Sequence, residues 1–156
     1  MTGGMRALTL LGVALSAPCC APPPDTRFAG YAEIPPGQAR LYVYRPAGSA
    51  GPRDSGGVTV DSRPLASLDR GEYVSVVLRP GPHELESGVF EASRLARLPS
   101  RTIELQADRA TYCGLSAGSA ALVVVWDLHC SGDPAAHAEL RACRRGKLDR
   151  TVDWQP

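Results

Sequence analysis

One stretch, Ala39–Ser87, limits the fold of this chain more than any other. Short runs of β-branched and aromatic residues alternate in it with proline, glycine and aspartate, which are typical of turns. Arg40–Arg45 and Glu72–Arg79 are the clearest strands, because apolar residues occupy every second position. The pattern predicts a mainly β fold: an antiparallel β-sandwich-like domain over residues 39–156 with one short C-terminal helix.

Proline and glycine indicate how the strands of this stretch connect. Residues 61–64, Asp-Ser-Arg-Pro, are expected to form a turn after a strand that contains Val58 and Val60. The Pro-Gly-Pro sequence at 80–82 is expected to reverse the chain. Residues 83–87 would then run back beside Glu72–Arg79 as the second strand of a hairpin.

The second half of the chain continues the β pattern and ends in a helix. Arg101–Ala107 alternates strictly between apolar and polar residues, which predicts a half-buried strand. A hairpin is predicted over residues 110–128, with residues 118–119 as its turn. An aspartate followed by a proline is a favourable helix start, so we predict a helix over Pro134–Arg145.

Five short motifs mark the chain between Ala39 and Leu128. They are ARLYVYRP from Ala39, V-x-V-D from Val58, L-x-x-G-x-Y from Leu68, R-P-G-P-H from Arg79 and ATYCGL from Ala110. Together they resemble the DUF2846 family of bacterial envelope proteins, most of which are lipoproteins of unknown function. This chain has Tyr-Cys where the family usually has Tyr-Tyr. The resemblance implies a β-sandwich-like envelope domain and assigns no activity or catalytic residue.

The N-terminus has the features of a secretory leader. Arg6 precedes an apolar run over residues 7–17, which is too short to span a bilayer by itself. Cys19 and Cys20 follow this run directly, as in a lipobox, although a proline precedes Cys19 where a small residue is usual. We predict a signal peptide over residues 1–20 with a lipid anchor on Cys19 (or Cys20). The alternative is a cleaved, secreted protein with two ordinary thiols.

Composition and the segment after the leader indicate where the domain is held. Residues 21–38 contain five prolines, which predicts a semi-rigid tether. No aspartate directly follows either candidate cysteine, so the expected location is the bacterial cell envelope, on the periplasmic side of an outer membrane if the host has one. A formal charge of +1 with a single lysine argues against nucleic acid as a partner. The expected partners are the membrane lipid anchor and an envelope protein or cell-wall polymer.

Two weak patterns suggest alternative functions. Ser116 lies in a G-x-S-x-G motif with His129 downstream, the pattern of a small exported hydrolase, but a strand rather than a helix is predicted to follow. Tyrosines on the predicted strands would suggest a carbohydrate-binding module if they formed one solvent-facing surface; they are Tyr42, Tyr44, Tyr73 and Tyr112. We predict a non-enzymatic binding or structural module without catalytic residues, cofactor or metal.

The cysteines of the domain leave several pairings open. A turn at residues 118–119 would place Cys113 opposite Val124 and about 20 Å from Cys130. We therefore predict a disulfide between Cys130 and Cys143, which would join the helix to the last strand. The alternative is a zinc site formed by Cys130, His137, Cys143 and His129, although their spacing matches no zinc motif.

Overall fold

The structure is a computed structural model that describes residues 27–49, 55–88, 100–120, 123–132, 137–149 and Trp154. The predicted signal peptide, Cys19, Cys20 and residues 21–26 of the predicted tether lie outside these ranges. The elements, in chain order, are β1 (Ala39–Arg45), β2 (Gly56–Val60), β3 (Arg63–Leu68), β4 (Glu72–Leu78), β5 (Gly81–Gly88), β6 (Ser100–Leu105), β7 (Ala110–Ala120), β8 (Val123–Ser131), α1 (Ala138–Arg141) and β9 (Arg144–Arg145).

The strands form two sheets that share one core. The five-stranded sheet has the order β8-β7-β1-β4-β9, and the four-stranded sheet has the order β3-β2-β5-β6. The prediction of a mainly β, sandwich-like fold with one short helix is confirmed. Pairing is not purely antiparallel as expected, because β1 pairs with β7, and β4 with β9, in parallel.

The inner faces of the two sheets bury an aliphatic core. Leu41 and Val43 of β1 are fully buried on the inner side of the five-stranded sheet. Ile103 and Leu105 of β6 belong to the same cluster from the opposite sheet, as the alternation of that strand predicts. A fully buried aliphatic side chain contributes about 1.5–3 kcal/mol, so this core dominates the stability of the fold.

The turn between β2 and β3 is shorter than predicted. Only Asp61 and Ser62 form it, with φ values of 50° and 63°. Positive φ at both central residues gives a two-residue hairpin turn whose twist suits the flanking strands. Arg63 therefore pairs with Val60 at once, and Pro64 lies in β3 rather than in the turn. Proline is tolerated there because β3 is at the edge of its sheet.

The predicted hairpin between β4 and β5 is wrong. β4 lies between β1 and β9, so neither of its edges is available to β5. The chain instead crosses to the other sheet at Pro80-Gly81, where Gly81 has a φ of 126° that glycine accepts readily. β5 then pairs with β2 and β6 and buries Leu85 in the shared core.

The hairpin of β7 and β8 is longer than predicted. Ala120 pairs with Val123, so both strands continue beyond residues 118–119. In this register Ala117 is opposite Trp126, and both side chains are buried in the inner core. A turn at residues 118–119 would separate that pair. Packing between the two sheets therefore sets the register of β7 against β8. The glycine and serine at residues 118–119 gave no sign of this register.

The C-terminal helix is shorter than the predicted Pro134–Arg145. α1 covers only Ala138–Arg141, and residues 133–136 lie outside the described ranges. The helix ends because the following N–H groups bond to the sheet: the Arg144 N–H donates to the Gly71 carbonyl at 2.8 Å. Arg144–Arg145 then forms β9 beside β4.

Candidate functional site

The outer face of the five-stranded sheet carries a buried aromatic layer. It consists of the four strand tyrosines, whose exposed fractions are at most 7%, together with Leu140 and Cys143. Tyr42 and Tyr112 stack with ring centroids 5.3 Å apart. The tyrosines do group on one face, as the carbohydrate-binding hypothesis requires, but that face is covered. They therefore form no solvent-facing sugar platform.

Residues 27–38, which belong to the predicted tether, cover this layer. Phe28 lies edge-on to Tyr73 with ring centroids 5.4 Å apart, and Tyr31 lies edge-on to Tyr112 at 5.6 Å. The Ala32 N–H donates to the Tyr42 hydroxyl at 2.8 Å. The folded unit therefore begins at least as early as Arg27, the first described residue.

The layer contains one buried polar pair. The Tyr44 hydroxyl and His137 Nδ1 are 3.0 Å apart, and the His137 ring stacks on Tyr112 with centroids 4.4 Å apart. Burial, with the neighbouring Tyr31 and Tyr42 hydroxyls, raises the pKa of Tyr112 to about 12. Burial also raises the pKa of Tyr44, with a contribution from Glu139. These phenols keep their protons at neutral pH, so they act as packing groups.

A polar surface groove lies where β6 approaches the first residues of β7 and the last residues of β8. Its volume is about 490 Å³. We name it the Arg109 groove; its polar lining includes Arg101, Thr102, Gln106, Arg109, Thr111 and Ser131. One Arg101 N–H donates to the Leu128 carbonyl at 2.9 Å, which holds that guanidinium in place.

An aromatic depression adjoins the Arg109 groove. Its volume is about 420 Å³, and it shares Arg109, Ala110 and Gly132 with the groove. Its lining includes Tyr31, which is 43% exposed. Arg109 therefore stands between a polar depression and an aromatic one.

The charges of the Arg109 groove favour an anionic group. Among the lining residues that the structure describes, two guanidinium groups stand against one carboxylate, that of Glu104. Guanidinium forks bind carboxylates and phosphates through paired hydrogen bonds, and the threonine and serine hydroxyls can add further bonds. Sequence reasoning missed this groove. Arg109 lies between the two predicted strands in the sequence, and nothing in its spacing from Arg101 signals a shared site.

Ser116 does not have the geometry of a hydrolase nucleophile. It is an exposed residue inside β7, opposite Asp127, and the strand continues to Ala120. The nucleophile elbow needs a sharp turn from strand to helix, which β7 lacks. His129 is opposite Gly114, and within the described ranges no hydrogen bond joins it to Ser116.

The cysteine pairing differs from the prediction. The long β7–β8 register places Cys113 opposite Cys130 rather than opposite Val124, and a disulfide joins the two residues with Cα atoms 4.1 Å apart. The predicted Cys130–Cys143 disulfide is therefore wrong. Cys143 is a buried thiol of the aromatic layer. Burial and Glu139 raise its pKa to about 11, so it is unreactive at neutral pH.

The alternative zinc site is not assembled. The sulfur of Cys130 is bound in the disulfide, whereas His137 and Cys143 lie at the outer aromatic layer. Among the residues that the structure describes, no three His, Cys, Asp or Glu side chains are grouped to hold a metal ion.

Comparisons with known proteins add no assignment. No protein-family model matches the chain, and no curated protein matches it. The described part of the chain contains no helix long and apolar enough to cross a membrane. The resemblance to the DUF2846 family stays a prediction that rests on the motifs quoted above.

Proposed function

We propose that this protein is a bacterial envelope lipoprotein whose β-domain is a non-enzymatic binding module held close to the membrane. The observation that carries the proposal is the position of Arg27. It lies only eight residues after Cys19 in the sequence and is already paired with Arg144 in the folded domain. A chain of that length spans at most about 29 Å. An acyl group on Cys19 or Cys20 would therefore hold the domain beside the bilayer surface.

The binding surface of this module is the Arg109 groove. Arg27 enters beside β9, at one edge of the five-stranded sheet, whereas the groove adjoins β8, at the other edge. Four strand spacings separate these edges, which is about 19 Å. If the β9 edge lies against the membrane, the groove at the other edge is presented away from it. An envelope protein or a cell-wall polymer with carboxylate or phosphate groups fits its charge.

A binding role fits the groove better than a catalytic one. Arginine and hydroxyl groups recognise anions, and within the described ranges no hydrogen bond joins Glu104, the carboxylate of the groove, to a hydroxyl that it could activate. Ser116, the alternative nucleophile, is in a strand that does not form an elbow.

The intact mass of the protein recovered from host membranes tests the anchor. We expect an intact mass that includes acyl chains on Cys19 or Cys20. One of the two variants, Cys19→Ala or Cys20→Ala, removes the acylated cysteine, and that variant should lack the added mass. A mature protein without acyl chains would contradict the anchor.

Photo-crosslinking in intact cells tests the groove. A photoreactive amino acid at Gln106 should capture a partner, and the same amino acid at Glu84, an exposed position on β5 outside the groove, should not. Arg109→Glu should reduce capture at Gln106 more than tenfold, because one charge reversal converts attraction into repulsion. Equal capture from both positions, or capture that Arg109→Glu leaves unchanged, would contradict the groove as the binding surface.

A further inference from the structure

The C-terminal segment closes one side of the sandwich. We name residues 143–149 the basic strap. The Gly146 N–H donates to the Tyr73 carbonyl of the five-stranded sheet at 2.7 Å. The Asp149 N–H donates to the Leu65 carbonyl of the four-stranded sheet at 2.8 Å. The strap is thus bonded to both sheets, and its backbone is held in one position on the domain.

Cations cluster on and beside the strap. Three exposed cations are on the strap itself: Arg144, Arg145 and Lys147. Two more, Arg27 and Arg141, are next to it. Within the described part of the chain, three carboxylates are nearby: Glu72, which pairs with Arg144 at 3.2 Å, Glu139 and Asp149. Positive charge is therefore in excess at this edge, although the whole chain has a formal charge of only +1.

The chain enters the domain at the same edge. Arg27 forms a bridge with Arg144, and the Phe28 N–H donates to the Cys143 carbonyl at 3.0 Å. The segment from Cys19 to Arg27 is too short to carry this edge more than about 29 Å from an acylated cysteine. The strap is therefore the part of the domain that lies beside the entry of the anchored chain.

We propose that the basic strap binds anionic lipid headgroups and so orients the domain on the membrane. The inference rests on the lipid anchor of the proposed function. One acyl signal and a basic patch are a combination that strengthens membrane attachment. Each cation near an anionic leaflet contributes about 1 kcal/mol, and the anchor supplies a high local concentration of lipid. With the strap on the membrane, the Arg109 groove at the opposite edge faces outward.

The only lysine of the chain, Lys147, allows a direct test. The full acylated protein, carrying Arg79→Lys as an internal control, is placed on vesicles of phosphatidylcholine alone or with phosphatidylglycerol. A water-soluble amine-acylating reagent is added, and both amines are quantified by mass spectrometry. Arg79 is exposed and follows the other end of β4, away from β9. The control amine therefore reports effects of the vesicle surface that are not due to strap contact.

We expect the ratio of Lys147 modification to control modification to fall about tenfold when phosphatidylglycerol is present. Raising the salt from 0.1 M to 1 M should restore the ratio, because the screening length shortens from about 10 Å to about 3 Å. On vesicles with phosphatidylglycerol, Arg145→Gln should raise the ratio about fivefold, which corresponds to about 1 kcal/mol for one cation at the surface.

The proposal would be overturned if the ratio of Lys147 modification to control modification were the same on neutral and on anionic vesicles. Flotation separates this result from failure of the anchor. A protein that floats with phosphatidylcholine vesicles and shows no lipid-dependent protection is anchored but does not use the strap. A protein that does not float with phosphatidylcholine vesicles lacks the anchor. Protection of Lys147 on anionic vesicles would then show that the strap binds anionic lipid without the anchor.

Discussion

The two faces of the five-stranded sheet are both buried, but by different parts of the chain. The inner face packs aliphatic side chains such as Leu41 and Val43 against a second sheet. The outer face packs tyrosines under two separate pieces of chain, residues 27–38 and the region around α1. The inner core is made by strands that are part of hydrogen-bonded ladders. The outer layer depends on covers that have few backbone bonds of their own, so we expect it to open first.

Two leucines that are both fully buried give the strongest test of this difference. Leu41→Ala should lower the free energy of unfolding by about 4 kcal/mol, because the inner core cannot collapse around the cavity. Leu140→Ala, in the outer layer, should lower it by about 2 kcal/mol, since a cover can relax. Urea unfolding measures both values. A larger loss from Leu140→Ala would show that the outer layer is the more rigid of the two.

The cysteines test the same difference by covalent means. Replacing both Cys113 and Cys130 with alanine should cost about 3 kcal/mol, as expected for a disulfide that closes a loop of this length, 17 residues in sequence separation. Cys143→Ala removes one small buried side chain and should cost about 1 kcal/mol. Thermal unfolding under non-reducing conditions compares them. If Cys143→Ala proved the costlier change, the disulfide assignment would be in doubt.

Two glycines report how tightly each face is packed. A Cβ at Gly56 would lie 2.5 Å from Leu115 and Trp126 in the inner core, whereas one at Gly114 would lie 3.1 Å from the Tyr44 hydroxyl in the outer layer. Gly56→Ala should therefore cost about 2 kcal/mol, and Gly114→Ala less than about 1 kcal/mol. Chemical denaturation of the two variants checks the order, which equal losses would contradict.

Alkaline unfolding should act through the outer layer. Burial raises the pKa of Cys143 from 9.0 to about 11 and that of Tyr112 from 10.0 to about 12. The stability that each group contributes is complete below its unfolded pKa and is lost as the pH rises through its folded pKa. We expect stability to fall from about pH 9 to pH 12. Cys143→Ala should flatten the first part of that fall and Tyr112→Phe the second, and unfolding curves unaffected by either change would refute this origin.

The sequence by itself determined where the clearest strands lie and which face their residues take. It predicted neither β3, where it placed a turn, nor β9, which falls in the predicted helix. Alternation in Arg101–Ala107 and Glu72–Arg79 predicted the buried positions correctly, because side chains point to opposite faces at every step of a strand. That information is local and needs no knowledge of the partner strand. It was enough for the fold class, including the short C-terminal helix.

Only the tertiary structure decided which strands pair, where the β7–β8 hairpin turns and what covers the tyrosines. Each of these depends on contacts between residues far apart in the chain: Ala117 with Trp126 set against the opposite sheet, Cys113 with Cys130, and Phe28 with Tyr73. The Arg109 groove and the basic strap have the same origin. A chain with almost no net charge gathers three of its cations, Arg144, Arg145 and Lys147, at one edge because the backbone bonds of residues 143–149 hold them there.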